Sequence, residues 1–182
     1  MIIFLALVMI IFLLLMLFVF ANLVYANFLG APSIYSSGTA MSDAMKLAGV
    51  KKGQLVVDLG CGNAKSLIIA ASQFGAKGIG VEKSPLCYLQ ANLNVLMSRQ
   101  QRNIKILFGD FSVAEKYLRK ADVVYLYLLP TLLTKIEKWL FNTIADKTKV
   151  VSLSFEFPTQ KSINSIETKN LGYPATVRMY RR

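Results

Sequence analysis

Leu55-Val-Val-Asp-Leu-Gly-Cys-Gly-Asn-Ala-Lys65 is an apolar run that ends in an acidic residue, passes two spaced glycines and opens a helix. Val56 and Val57 predict a buried parallel strand, and Lys65–Phe74 predicts the helix that follows it. Between them, Gly60 and Gly62 let the backbone turn tightly and approach a ligand where a side chain would block the way. A plain strand-to-helix turn would use the same glycines, so the partners downstream decide. Glu82 closes the next apolar run, Lys77–Glu82, where the second strand of an open α/β sheet presents a carboxylate to a ribose diol. Asp110 follows a third run, Ile104–Phe108, in the same way. Asp58, Glu82 and Asp110 therefore stand at the carboxyl ends of successive predicted strands and outline one crevice for a small cofactor.

The third glycine discriminates between cofactors. A dinucleotide fingerprint needs Gly-x-Gly-x-x-Gly, but Lys65 stands three residues after Gly62, which argues against NAD. The pattern Asp58-x-Gly60-x-Gly62, with Glu82 and then Gly109-Asp110, resembles the class I S-adenosylmethionine-dependent methyltransferases. That resemblance implies a floor for the methionine moiety at Gly60 and Gly62, a ribose ligand at Glu82 and an adenine contact at Asp110. Ala64 stands where many members carry a further glycine.

At 182 residues the chain holds one domain of about 150 residues and an extra element. The net charge of +11 invites a nucleic-acid or anionic-membrane partner, or simply a basic solvated surface, since Lys and Arg are scattered. Residues 1–42 carry no charged side chain, and 2–20 are almost wholly Ile, Leu, Phe, Val and Met. About 20 such residues cover a hydrocarbon core about 30 Å thick, so a single membrane span is expected. A signal peptide cleaved after Val24-Tyr25-Ala26 competes, but no basic residue precedes the apolar run and the run exceeds the usual signal length. Because Lys46, Lys51, Lys52 and most other basic residues follow the span, the catalytic domain is expected on the cytoplasmic side, where S-adenosylmethionine is made. Cys61 and Cys87 lack metal-ligand spacing and read as reduced packing residues. The chain has no His, which excludes His metal sites and His general bases.

Residues 22–42 form a polar-aromatic linker whose Pro32 to Ser37 portion is placed to fold over the cofactor as a lid, with a short helix at 39–48. Ser84-Pro85 starts a helix over 86–98. Residues 122–127 predict the fourth strand, Thr131 caps a helix over 132–144 whose Lys135 and Lys138 read as a solvated face, 149–155 predict the fifth strand, and 175–181 a last strand. This alternation defines a doubly wound, Rossmann-like α/β domain with an N-terminal transmembrane helix and abbreviated C-terminal strands. The expected organisation is an anchor at 1–25, a linker and lid helix at 26–48, and a methyltransferase domain at 49–182.

Methyl transfer from a sulfonium needs alignment and exclusion of water more than a strong acid or base. The residues after the fourth strand, Tyr127-Leu128-Leu129-Pro130, are the candidate acceptor site, with a plain loop as the alternative. They lack the Asn/Asp-Pro-Pro-Tyr/Phe motif by which base and glutamine-amide methyltransferases resemble one another, and the Pro-Cys of pyrimidine C5 enzymes, so a nucleic-acid acceptor is not expected. Taken with the span, Pro-Ser-Ile-Tyr-Ser-Ser37 and Ser154-Phe-Glu-Phe-Pro158, the chain resembles the small membrane-anchored protein-lysine methyltransferases related to the ATP synthase c-subunit lysine methyltransferase. That resemblance implies a protein substrate with an accessible lysine, a channel lined by Ser36, Ser37, Tyr127 and Glu156, a cofactor contact from Ser37, and catalytic roles for Tyr127, Pro130 and Glu156. A lipid or quinone acceptor, or a non-catalytic membrane-held module of the same fold, remain as alternatives.

Overall fold

The structure, a computed structural model, describes residues 1–28 and 36–182. It divides into two compact units, Met1–Ser33 and Ile34–Arg182. In the first, helix α1 (Ile2–Phe28) contains one stretch, Ile3–Ala21, long and apolar enough to cross a membrane. The expected lid falls largely on residues 29–35, outside the described residues, as do the side chains at the alternative cleavage site, 24–26.

The second unit begins with helix α2 (Gly38–Ala48). The Ser37 hydroxyl caps it by accepting from the Ala40 N–H, and Gly49 closes it in the left-handed conformation. Ala40, Met41, Ala44, Met45 and Ala48 are buried, so α2 packs as part of the core, and its last turn is held by the Lys149 ammonium on the Ala48 carbonyl at 2.6 Å. Then follow β1 (Leu55–Leu59), α3 (Lys65–Phe74), β2 (Lys77–Glu82), α4 (Pro85–Met97), β3 (Ile104–Phe108), a 3-10 turn at Phe111–Ala114, the single-turn α5 (Glu115–Leu118), β4 (Val123–Leu126), α6 (Pro130–Thr143), β5 (Lys149–Leu153), β6 (Asn164–Asn170) and β7 (Tyr173–Arg181).

The sheet order is β3-β2-β1-β4-β5-β7-β6. The five leading strands are parallel, and β7 runs antiparallel between β5 and β6. Strand alternation splits the core into two layers. Val56, Val123, Tyr125, Val151 and Leu153 face the layer containing α2 and α3, while Val57, Leu59, Val124, Leu126 and Val150 face the one containing α6. Each face is thereby apolar, as a doubly covered parallel sheet requires.

Three features differ from the sequence expectation, each for a local reason. Helix α6 begins at Pro130 with Leu129 as its uncapped N-cap, so Thr131 lies inside the helix; the proline's fixed φ suits the first helical position and its missing N–H costs nothing there. Strand β5 stops at Leu153 because Ser154 takes φ 67 and Phe155 folds back, its N–H on the Leu153 carbonyl at 2.8 Å. Strand β6 was not foreseen, since Asn-Ser-Ile-Glu-Thr-Lys-Asn offers one aliphatic side chain and lies at the sheet edge. It joins β7 through Leu171-Gly172, both at positive φ, as a two-residue hairpin demands. The chain's economy at its C-terminal end therefore falls on the connection: residues 154–163 cross from β5 to β6 without a helix.

That bare crossing is held by the buried Glu137 of α6. Its Oε1 accepts from Thr159 N at 3.0 Å, Thr159 Oγ1 at 2.9 Å and Gln160 N at 3.0 Å. Glu137→Ala should cost about 2–3 kcal/mol by leaving these donors without their charged acceptor. Chemical unfolding in detergent reads it, and a midpoint within error of the parent would show that the crossing holds itself.

Candidate active site

The turn between β1 and α3 is built from left-handed residues. Gly60 has φ 83 and Gly62 has φ 53. A Cβ on Gly60 would press to 3.1 Å from Leu128 Cδ2, whereas one on Gly62 would meet nothing within 4 Å. The first glycine is thus favoured by its left-handed φ and by tight packing under the β4 loop, and the second leaves open space above the backbone. Ala64 is left-handed too, at φ 62, a conformation that costs a residue with a Cβ about 1–2 kcal/mol. Asn94 of α4 steadies the turn by donating to the Asn63 carbonyl at 3.0 Å. Nothing in the sequence marks that role, because the contact joins residues 31 apart.

Glu82 closes β2 and faces the same turn. Its two oxygens accept from Gly62 N at 2.9 Å and Ser84 N at 2.8 Å. Each carboxylate oxygen keeps a second lone pair, so the group can take two further hydroxyl donors without releasing the backbone. Asp110, exposed after β3, has Oδ1 on the Ser112 N–H at 2.9 Å and on the Ser112 hydroxyl, and these bonds hold its carboxyl below the usual range. Open space over Gly62, a diol-ready carboxylate and a second carboxylate at the next strand end together fit a ribonucleoside with an extended polar tail.

Asp58 lies beneath the turn, buried, where it accepts from the Ser66 hydroxyl. Burial pushes its carboxyl up to about 7, against the Ser66 bond and with the aid of the Glu82 charge. The folded chain therefore retains this proton up to about pH 7, the unfolded chain only to about 3.8. Stability from this group is fully present below the lower value and is lost as pH rises through the upper one. Ligand-free protein should accordingly lose thermal stability between about pH 4 and 7, and Asp58→Asn should flatten that decline. A parent profile already flat over the range would remove the buried proton from the account.

On the other side of β1, Ser36 and Ser37 meet the ends of β4 and β6. Ser37 N donates to Asn170 Oδ1 at 2.7 Å and Ser37 Oγ donates to the Lys169 carbonyl at 2.9 Å. With its oxygen thus engaged, Asn170 turns its amide nitrogen to the Tyr127 hydroxyl at 3.0 Å. The Tyr127 ring stacks on Phe155 with centroids 6.2 Å apart. Ser36 is buried, as is the hydroxyl of Tyr125; the latter has no well-formed hydrogen bond, although Ser36 and Asp58 are its polar neighbours. Burial, reinforced by the Asp58 charge, pushes the Tyr125 phenol up, so it stays protonated.

Of the expected residues, Ser37 and Tyr127 are thus joined through Asn170, which sequence reasoning missed because it ends the unforeseen β6, while Ser36 lies beside Tyr125. Asp58, Gly60, Gly62 and Glu82 surround one turn. Pro130 stands exposed as the first residue of α6. Glu156 projects outward, 71% exposed, with Arg178 Nε 3.4 Å from its carboxylate. Among the described residues no cluster of His, Cys, Asp or Glu could hold a metal ion.

Sheet order and strand-end carboxylates define a class I S-adenosylmethionine-dependent methyltransferase. Residues 58–164 match the model of the ANTKMT methyltransferase domain, and the chain belongs to that family. It is 28% identical over 139 residues to a protein-lysine N-methyltransferase of Saccharolobus islandicus, covering 75% of this chain and 84% of that protein. An RNA methyltransferase from Salinibacter ruber, solved with S-adenosyl-L-homocysteine, superposes with a TM-score of 0.71 at 28% identity, over 78% of this chain and 88% of that one. The tRNA methyltransferase TrmK of B. subtilis shares the fold, with a TM-score of 0.65 at 16% identity over 82% of this chain and 67% of that one.

Proposed function

We propose that this chain transfers methyl groups from S-adenosylmethionine to lysine side chains of a membrane or membrane-adjacent protein. The observation that carries the reading is the junction of Ser37, Asn170 and Tyr127 beside the stacked Phe155, on the acceptor side of the glycine turn. The cofactor supplies an electrophilic methyl on a sulfonium. Glu82 is assigned to the ribose hydroxyls, Asp110 to the adenine amino group, and Gly60 and Gly62 to the backbone floor, with Asp58 beneath it. Ser37 contributes from the α2 cap.

A lysine acceptor arrives as an ammonium and must lose a proton before it is nucleophilic. Aromatic walls at Tyr127 and Phe155 lower its pKa by removing water around the charge. Tyr127 Oη already accepts from Asn170, and its remaining lone pair is available to orient the amine. The proton that the ammonium loses before attack goes to solvent. Pro130 acts here by starting α6 and so placing Leu128 over Gly60. Glu156, already paired with Arg178, stands outside the channel in this reading.

In the same proposal α1 is a single retained span, and the catalytic unit, with α2 in its core, works on the cytoplasmic side. The relative from Saccharolobus islandicus supports a lysine acceptor. The test is transfer of tritiated methyl from S-adenosylmethionine in native membranes. Label recovered as methyl-lysine after protein hydrolysis supports the reading. Label in extracted lipid or quinone, or in RNA, overturns the acceptor and leaves the methyltransferase.

A further inference from the structure

Helix α4 is apolar on two sides. Its inner face buries Ala91 and Val95. Its outer face presents Leu89, Leu93, Leu96 and Met97, each at least half exposed, at spacings that place them on one stripe. Phe108, equally exposed at the end of β3 and edge-on to Tyr88 at 5.4 Å, extends this patch toward the site. From Ser84 to Ser98 there is no charged residue, and the charges that flank the stripe have one sign: Lys83 before the helix, Arg99 and Arg102 after it, and Lys105 on the edge strand β3. No Asp or Glu occurs from Lys83 through Gly109.

We propose that this outer face of α4 rests on an anionic lipid surface, with the leucines entering the acyl boundary and the four cations meeting headgroup phosphates. Scattered single leucines on a surface need no explanation, but a continuous stripe on one helix does. A second copy of the chain is a poor occupant, because a symmetric contact would set the same cations against one another. A lipid surface matches both features at once. Aliphatic side chains flanked by Lys and Arg are the composition that holds a helix in the plane of an anionic bilayer. The inference does not depend on the lysine acceptor, nor on α1 being a span.

The experiment uses the full chain in vesicles with brominated acyl chains. In a Trp139→Phe background, Leu93→Trp reports on the face, and Lys138→Trp, on α6 of the opposite layer, serves as control. The tryptophan at 93 should be quenched strongly in vesicles containing phosphatidylserine and weakly in phosphatidylcholine alone, and the one at 138 in neither. Arg99→Glu, Arg102→Glu and Lys105→Glu together should lower the docked-to-undocked ratio by about a hundredfold or more. These residues lie outside the cofactor crevice, so unchanged S-adenosylhomocysteine binding certifies the fold. Equal, low quenching at both positions while the chain stays on the vesicles would overturn the face and leave the span standing. A concentration-dependent blue shift at 93 without quenching would assign the face to a second copy, and one that needs an added protein would assign it to that protein; either overturns the proposal.

Discussion

Glu82→Ala should raise the dissociation constant for S-adenosylmethionine by about 10- to 150-fold, the equivalent of about 1.5–3 kcal/mol for hydrogen bonds to a charged group. The loss has two origins. The ribose hydroxyls forfeit their acceptors, and the Gly62 and Ser84 N–H groups, now bound at 2.9 and 2.8 Å, lose the carboxylate that sets the turn. Glu82→Gln separates them. It keeps one acceptor oxygen for the backbone, but its amide nitrogen cannot accept, so its affinity should fall between parent and alanine variant. Calorimetry with S-adenosylhomocysteine measures all three. Parent-like affinity for the alanine variant would take Glu82 out of the cofactor site, whatever its place in the turn.

The cofactor crevice was legible because its signals are local. Asp58, Gly60, Glu82 and Asp110 each sit next to an apolar run that announces a strand, and a parallel sheet gathers the ends of such runs on one edge. The acceptor side was legible only in part. Tyr127 follows from its place after the fourth strand and Ser37 from the family resemblance, but what joins them is Asn170, which lies 133 residues from Ser37 and 43 from Tyr127. Asn170 ends a strand whose sequence carries one aliphatic residue, and since two of the three residues on its more buried face, Thr168 and Asn170, are polar, no apolar period-two pattern is left to read. Glu156 shows the converse. Its place in the channel is an expectation from the family resemblance, and what the sequence did not show is that the left-handed turn at Ser154 sends successive side chains to different surroundings: Phe155 to Tyr127 and Glu156 to Arg178. The α4 stripe was legible as leucines and illegible as a surface, since periodicity alone does not say which apolar face meets the sheet.

If the acceptor is a lysine on a membrane protein, a version starting near Ala31 should bind S-adenosylmethionine as the full chain does yet methylate acceptor in native membranes about 100- to 1,000-fold more slowly at micromolar enzyme. Tethering by a short linker corresponds to an effective concentration in the mM range, which free enzyme does not reach. The apolar helix supplies location and no reacting group, so on a lysine peptide or a detergent-solubilised acceptor the two versions should have similar rates. The truncation must spare Ser36 and Ser37, because the first is buried beside Tyr125 and the second caps α2 while holding Asn170. Salt dependence then discriminates between the two ways of reaching the bilayer. At low ionic strength the cations around the α4 stripe should return part of the lost rate to the shortened chain, and at high ionic strength screening should remove it, leaving the full chain little changed. Equal rates for both versions on native membranes at high salt would show that the apolar helix does not govern access to the acceptor, and would assign that stretch to assembly with a partner instead.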